Sequence, residues 1–123
     1  MKDDYVSFET AQLAKVKGFN IPVNSHYTVK KSVWKTLREE DTNEDNFAYS
    51  RPTQSLLAKW LRSKYDMCII VYPTASGYCW ELDKCNGTYI KDYEEEGTNS
   101  GGSWDIYEEA LENGIQEALK LIK

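Results

Sequence analysis

Two turn signals separate three short strand-like segments in the second half of the chain. The first segment, 67–72, is a continuous apolar run that Pro73 ends, and the second, 78–83, alternates apolar and polar residues. Asn86-Gly87, the dipeptide most typical of a two-residue hairpin turn, leads to the third segment, 88–93. This pattern predicts three consecutive antiparallel strands.

The register of the first two strands decides which residues face the core. We expect 73–77 to form the loop between them, with Tyr72 opposite Tyr78. This register places Ile70 opposite Trp80. Residues opposite each other on antiparallel strands lie on the same face of the sheet. The sequence therefore predicts that Ile70, Trp80 and Leu82 are buried together.

A helix is predicted on each side of the three strands. The first covers 52–64, with Pro52 at its start and Thr53 as a capping residue. The second follows an acidic, glycine-rich loop, with Ser103 as the expected cap, and repeats apolar and small residues at helical spacing up to Ile122. The order predicts an α+β fold: an α-β-β-β-α core in which helices pack on one face of an antiparallel sheet of at least three strands.

The first fifty residues are predicted to add a helix and a hairpin. Segment 7–18 is typical of a short helix, with Ser7 as its cap and Gly18 at its end. Residues 26–40 leave two interpretations open: their apolar residues fall at helical spacing, whereas their β-branched and aromatic content favours a β-hairpin. Segment 38–46 is polar throughout and is predicted to be a mobile surface loop.

Size and composition place the chain among single-domain globular proteins. At 123 residues, with 41% hydrophobic and 13% aromatic residues, it can bury a core, and no apolar run is long enough to span a membrane. We expect one domain over 1–123, with the helix, hairpin and loop in 1–50 and the α-β-β-β-α core in 51–123. The opening residues contain no secretion signal, so we expect a cytoplasmic protein.

The chain has few residues of the types that act in catalysis or bind metals. His26 is the single histidine, and the three cysteines, an odd number, lie at spacings that match no zinc motif. Two of them, Cys68 and Cys79, stand among apolar residues, where a thiol behaves as a small apolar side chain, so we expect free thiols in a reducing compartment. No nucleotide-binding loop or calcium loop is present. The sequence therefore predicts no catalytic residue, no metal, no cofactor and no enzyme activity.

Aromatic content favours a protein-interaction module. Four Trp and nine Tyr are more than one core of this size hides, so some must lie near the surface. Tyr89, Tyr93 and Trp104 are the candidate protein-binding residues. A simple turn at 86–87 would place both tyrosines beside the core, whereas a bulge would turn Ile90 inward instead. The edge of the sheet also offers a route to a homodimer.

Nucleic-acid binding is the alternative function. Arg51, Lys59, Arg62 and Lys64 form a basic group on and just before the predicted helix 52–64. Residues 1–64 carry a charge of about +3, whereas 65–123 carry about −8, and the whole chain has a formal charge of −5. Net negative charge opposes binding to phosphates, so a nucleic-acid partner is less expected than a protein partner.

The helix, three strands and helix resemble the order of a double-stranded RNA-binding domain. That family has a lysine-rich cluster at the start of the last helix, where this chain has Asp105, Glu108 and Glu109. Carboxylates at that position would repel phosphates. The resemblance therefore implies the architecture and not RNA binding.

Six further segments carry a second resemblance. They are Tyr5-Val6-Ser7-Phe8-Glu9-Thr10-Ala11, Lys17-Gly18-Phe19, Pro52-Thr53-Gln54-Ser55-Leu56, Lys59-Trp60-Leu61-Arg62, Tyr107-Glu108-Glu109-Ala110-Leu111 and Ala118-Leu119. With these segments the chain resembles, over most of its length, small proteins of unassigned function from phages and prophages of Bacteroidetes. The resemblance implies a phage or prophage accessory protein, with a host or phage protein as its partner, and it transfers no catalytic or binding residue.

Overall fold

The described part of the chain folds into three helices and two antiparallel sheets. The structure, a computed structural model, describes residues 4–35, 43, 48–92, 97 and 102–123. Its α+β class is the one predicted. In chain order the elements are α1 (Phe8–Val16), β1 (Ser25–Thr28), β2 (Val33–Lys35), β3 (Ala48–Ser50), α2 (Gln54–Tyr65), β4 (Cys68–Thr74), β5 (Gly77–Asp83), β6 (Tyr89–Asp92) and α3 (Tyr107–Lys120).

Each sheet has three strands. The larger sheet has the order β4-β5-β6, and α2 and α3 pack on one of its faces, as predicted. The smaller sheet has the order β2-β1-β3, so the hairpin interpretation of 26–40 is confirmed by β1 and β2, while β3 was not predicted. Apart from Asn43, the predicted loop 38–46 lies outside the described residues.

Side chains and turns set the ends of the helices. Ser7 accepts a hydrogen bond from the Thr10 amide at the start of α1, and Gly18, with φ +95°, allows the left-handed turn that ends it. Thr53 caps α2 by accepting from the Leu56 amide. The predicted cap of α3 is wrong: this helix begins at Tyr107, without a side-chain cap.

The register of β4 and β5 differs from the prediction by one residue. Tyr72 lies opposite Cys79, because β4 continues through Pro73 to Thr74 and only two residues, 75 and 76, separate the strands. A shift of one residue exchanges the two faces of a strand. Ile70 was therefore wrongly predicted to be buried: it is 43% exposed.

The core lies between the larger sheet and the helices. Trp80 is fully buried, and its indole nitrogen donates to Asn113 Oδ1 on α3 at 2.7 Å. A Cβ atom on Gly114 would lie 2.8 Å from Cγ2 of Ile69 and 3.3 Å from the Trp80 ring, so glycine lets α3 approach the sheet closely. One buried cluster joins residues of α1, α2, α3 and β5.

A polar network centred on Glu112 ties the three helices together. Its carboxylate accepts hydrogen bonds from the Ser7 amide (2.9 Å), from the Thr10 hydroxyl and from Gln54 Nε2 (2.9 Å). Gln116 Nε2 donates to the Thr10 hydroxyl at 2.9 Å. The Glu112 carboxylate also lies at the N-terminus of α1, where the helix dipole favours a negative charge.

Candidate protein-binding surface

The face of the larger sheet that points away from the helices carries both acidic and apolar side chains. On β5, Trp80 and Leu82 point toward the helices, so the alternate residues Glu81 and Asp83 point to the opposite side. The pairing of the strands brings residues of β4 and β6 beside them. We call this surface the outer face; its residues are Ile70, Tyr72, Glu81, Asp83, Tyr89 and Asp92.

Two cross-strand rows order the outer face. In one row Glu81 lies between Ile70 on β4 and Asp92 on β6. In the next row Asp83 lies opposite Tyr89 on β6. Two carboxylates directly opposite each other destabilise a sheet when no cation separates them. Over the described ranges, no ion pair involves Glu81, Asp83 or Asp92.

The crowding of these carboxylates changes the proton affinity of Glu81. The pKa of Glu81 is raised, first because its carboxyl group lies within hydrogen-bonding reach of the Asp83 carboxyl, then by desolvation and by the charges of Asp83 and Asp92. Asp83 is 7% exposed, and its Oδ1 has no hydrogen-bond partner among the described residues. The pKa of Tyr72 is also raised, by burial and then by nearby groups that include Asp92 and Glu81. The outer face is therefore a site that favours an added proton or cation.

Replacing Glu81 should stabilise the protein in a pH-dependent way. A carboxyl whose pKa is higher in the folded state contributes stability below its unfolded pKa, near 4.5, and that contribution is lost as the pH rises through the folded pKa. We expect the melting temperature of E81Q, relative to the original protein, to increase between about pH 4 and about pH 7. Thermal melts in matched buffers at low salt measure the difference.

Glu117 on α3 provides the control with the opposite sign. Its partial burial favours the neutral form, but the hydrogen bond from Lys120 and the charges of Lys120 and Lys91 outweigh burial and lower its pKa. Its contribution is present above pH 4.5 and is lost as the pH falls through the folded pKa. The melting temperature of E117Q, relative to the original protein, should therefore decrease over the same pH range. Equal trends for E81Q and E117Q would contradict the assignment.

The three candidate protein-binding aromatics have different locations. Tyr89 is 57% exposed on the outer face, because a β-bulge between Leu82 and Asp83 shifts the pairing of β6 and packs Ile90 against the core. The bulge was one of the two registers left open. Trp104 pairs with Tyr78 and is buried in the core, so its side chain is not available to a partner. Tyr93 lies outside the described residues.

The four basic candidates do not form one surface. Lys59, Arg62 and Lys64 are exposed on α2, and the Lys64 ammonium lies 5.6 Å from the centre of the Trp60 ring. The guanidinium of Arg51 contacts residues outside α2: it lies 3.9 Å from the centre of the Tyr5 ring and donates a hydrogen bond to Ser25 Oγ. Arg51 also lines a cavity of about 260 Å³. Three of the four residues are therefore exposed on α2, and Lys59 and Arg62, three positions apart, share one side of that helix.

Sequence reasoning missed most of the outer face. Ile70 and Tyr72 were assigned to the core side, and Glu81, Asp83 and Asp92 were not considered as binding residues. The signal was present in the alternation of 78–83, which puts Glu81 and Asp83 on the polar side of their strand. Only the strand pairing shows that Asp92 joins them.

Comparisons with known proteins identify no relative of this chain. No family model matches the chain, and neither the curated proteins nor the solved structures contain a significant match. Within the described residues, no group of three or more His, Cys, Asp or Glu side chains could hold a metal ion. No helix in those ranges combines the length and the apolar character needed to cross a membrane.

Proposed function

We propose that the chain is a non-catalytic protein-interaction module and that its outer face binds a basic segment of a partner protein. The observation that carries the proposal is the combination of exposed Ile70 and Tyr89 with three carboxylates that have no cation partner among the described residues. Exposed aromatic and aliphatic side chains supply contact area, and the carboxylates supply charge.

Lysine and arginine side chains fit this surface. An ammonium or guanidinium group placed between Glu81 and Asp92 would relieve their mutual repulsion and donate charge-assisted hydrogen bonds to the two carboxylates. The ring of Tyr89 can stack on the same cation. Phosphates would be repelled here, so this face favours a protein over a nucleic acid.

The setting that we propose follows from the resemblance to phage and prophage proteins of Bacteroidetes. It supports an accessory protein that acts in the cytoplasm, with a host or phage protein as its partner. A second copy of the chain is another partner to consider, because β4 forms one edge of the larger sheet. Pairing of two β4 edges would join the sheets of two copies and leave the outer face available.

Nucleic-acid binding is the second candidate function, and the exposed basic side of α2 is the observation that favours it. Lys59 and Arg62 are exposed on one side of this helix, and Lys64 is exposed in its last turn. Such a surface would contact the phosphate backbone, and its affinity would fall steeply as salt rises. Substitution of the outer face would leave that binding unchanged or strengthen it.

A matched pair of charge reversals tests the proposed function. Asp92 on the outer face and Glu109 on α3 are both exposed, and reversal of either changes the net charge by the same amount. The partner is first captured from a nuclease-treated host lysate, then purified and titrated with each variant. We expect D92K to weaken binding at least tenfold, on the order of 1.4 kcal/mol for one reversed contact, and E109K to change it less than twofold.

Two further results complete this test. Y89A should weaken binding at high salt as well as at low salt, because loss of apolar contact is not screened. Equal effects of D92K and E109K would show that only net charge matters and would overturn the outer face as the binding site. Recovery of nucleic acid alone, lost on addition of salt, would favour the basic side of α2.

A further inference from the structure

Two of the three cysteines lie next to each other although 17 positions separate them in the sequence. Cys68 begins β4, and Cys85 lies in the turn between β5 and β6. Their sulfur atoms are 2.7 Å apart. This distance is closer than unbonded contact and only slightly longer than the roughly 2.0 Å of a disulfide bond. Both thiols are free in this structure.

Strand pairing with Asp83 on β5 positions Cys68, and hydrogen bonds in the turn after β5 position Cys85. The Cys85 amide donates to the carboxylate of Asp66, the residue that ends α2 in a left-handed conformation. Within the turn, the Lys84 amide donates to the Thr88 carbonyl at 2.7 Å, and the Gly87 amide donates to the Lys84 carbonyl at 2.9 Å. Little rearrangement is therefore needed to bring the two sulfur atoms into bonding distance.

We propose that Cys68 and Cys85 form a reversible intrachain disulfide when the protein meets a peroxide oxidant. Cys85 is exposed and Cys68 is half-buried, so the pair is open to a small oxidant. Cys79 is 1% exposed, and its sulfur lies 3.4 Å from Ser103 Oγ, away from the pair. This inference does not depend on the proposed protein-binding function.

The reaction balances with one peroxide molecule for each pair of thiols. The thiolate of Cys68 attacks one oxygen of hydrogen peroxide; the O–O bond breaks, the other oxygen leaves as hydroxide and takes up a proton, and Cys68 becomes a sulfenic acid. The Cys85 sulfur then attacks the Cys68 sulfur, and the S–O bond breaks as the S–S bond forms. The Cys85 proton leaves with the hydroxyl group as a second water. A dithiol reverses the process by thiol–disulfide exchange.

The electrostatic setting assigns the order of the two steps. The hydrogen bond with Cys68, followed by desolvation and the neighbouring Asp66 carboxylate, raises the pKa of Cys85 to about 12. Cys85 therefore keeps its proton at neutral pH and can donate it toward the Cys68 sulfur. Because Cys85 holds its proton more tightly than an ordinary thiol, it is the resolving sulfur in the proposed reaction, and Cys68 is the sulfur that attacks the peroxide.

Thiol counting and peptide mapping on the full chain test the proposal. After treatment with hydrogen peroxide and unfolding in urea, we expect one of the three thiols to remain reactive, with the protein still monomeric and two hydrogen atoms lighter. Trypsin cuts after Lys84 and would release 65–84 joined to 85–91. Segment 65–84 contains both Cys68 and Cys79, so the mapping must be repeated in C79S, which should give the same joined peptides and no remaining thiol.

The single variants assign the two roles. C85S should keep a sulfenic acid on Cys68 that a dimedone probe labels, whereas C68S should give no intrachain disulfide and little labelling.

Oxidation should raise the melting temperature of the original protein by about 10 °C, because the closed loop restricts the unfolded chain, and a dithiol should reverse the shift. Unlinked peptides in oxidised C79S, or disulfides only between chains, would overturn the proposal.

Discussion

Replacement of Trp80 by alanine is expected to lower the free energy of unfolding by about 3–5 kcal/mol. The side chain is fully buried on β5, beneath α3, and lies against Gly114 at the closest approach of helix and sheet. Alanine would leave a cavity that the glycine cannot fill. It would also remove the donor that bonds Asn113 Oδ1. Urea unfolding followed by circular dichroism gives the difference.

Trp34 is the matched control for this substitution. It lies on β2 and is 61% exposed, so W34A removes the same atoms from a site that is already in contact with water. We expect W34A to change the free energy of unfolding by about 0.5 kcal/mol or less. Similar losses for the two variants would mean that Trp80 is not at the centre of the core.

The second large effect is expected at Glu112. E112A would leave the Ser7 amide, the Thr10 hydroxyl and Gln54 Nε2 without their acceptor. Hydrogen bonds to a charged group contribute about 1.5–3 kcal/mol each, and part-buried donors left unpaired add a desolvation cost. Because water can replace some of these bonds, we expect a net loss of about 2–4 kcal/mol in the free energy of unfolding, measured in the same urea titration.

A neighbouring glutamate separates the network from simple charge effects. Glu109 lies on the same helix and is exposed. E109A removes the same side chain and the same charge as E112A, and it should change the free energy of unfolding by about 0.5 kcal/mol or less. If both variants lost the same amount, the hydrogen bonds around Glu112 could not be the cause.

Most of the fold could be predicted because local patterns determine it. Ser7, Gly18 and Thr53 mark helix ends through their own hydrogen bonds or backbone conformation, and these predictions are confirmed. The alternating residues of 78–83 likewise identified β5. β3 has three residues, too short a segment for a periodic pattern, and it forms by pairing with β1. Its existence depends on a partner distant in sequence.

The main error in the fold came from one proline. Pro73 was interpreted as the end of a strand because it lacks an amide donor. In the structure it lies on β4, an edge strand, where one side of the backbone has no partner strand among the described residues. The loop is therefore two residues long instead of five, and the faces of β4 are exchanged.

The candidate site was less predictable than the fold. Tyr89 was identified from composition and is exposed, whereas Trp104 has the same aromatic character and is buried by pairing with Tyr78. Aromatic residues serve both cores and interfaces, so residue type alone cannot separate the two locations. The acidic half of the outer face depends on strand register, which a single sequence does not specify where a bulge is present.

The Glu112 network also has a consequence for the order of events during protein synthesis. The hydrogen bonds that link Ser7 and Thr10 to α3 join residues that are 102 to 106 positions apart in the chain. At ordinary elongation rates of about 5–20 residues per second, α1 is synthesised about 5–20 s before α3. Through that interval the donors of Ser7 and Thr10 have no carboxylate to bind, and the apolar side of α1 has no α3 to cover it. The N-terminal segment therefore completes its packing and its hydrogen bonds only after the last helix has been synthesised.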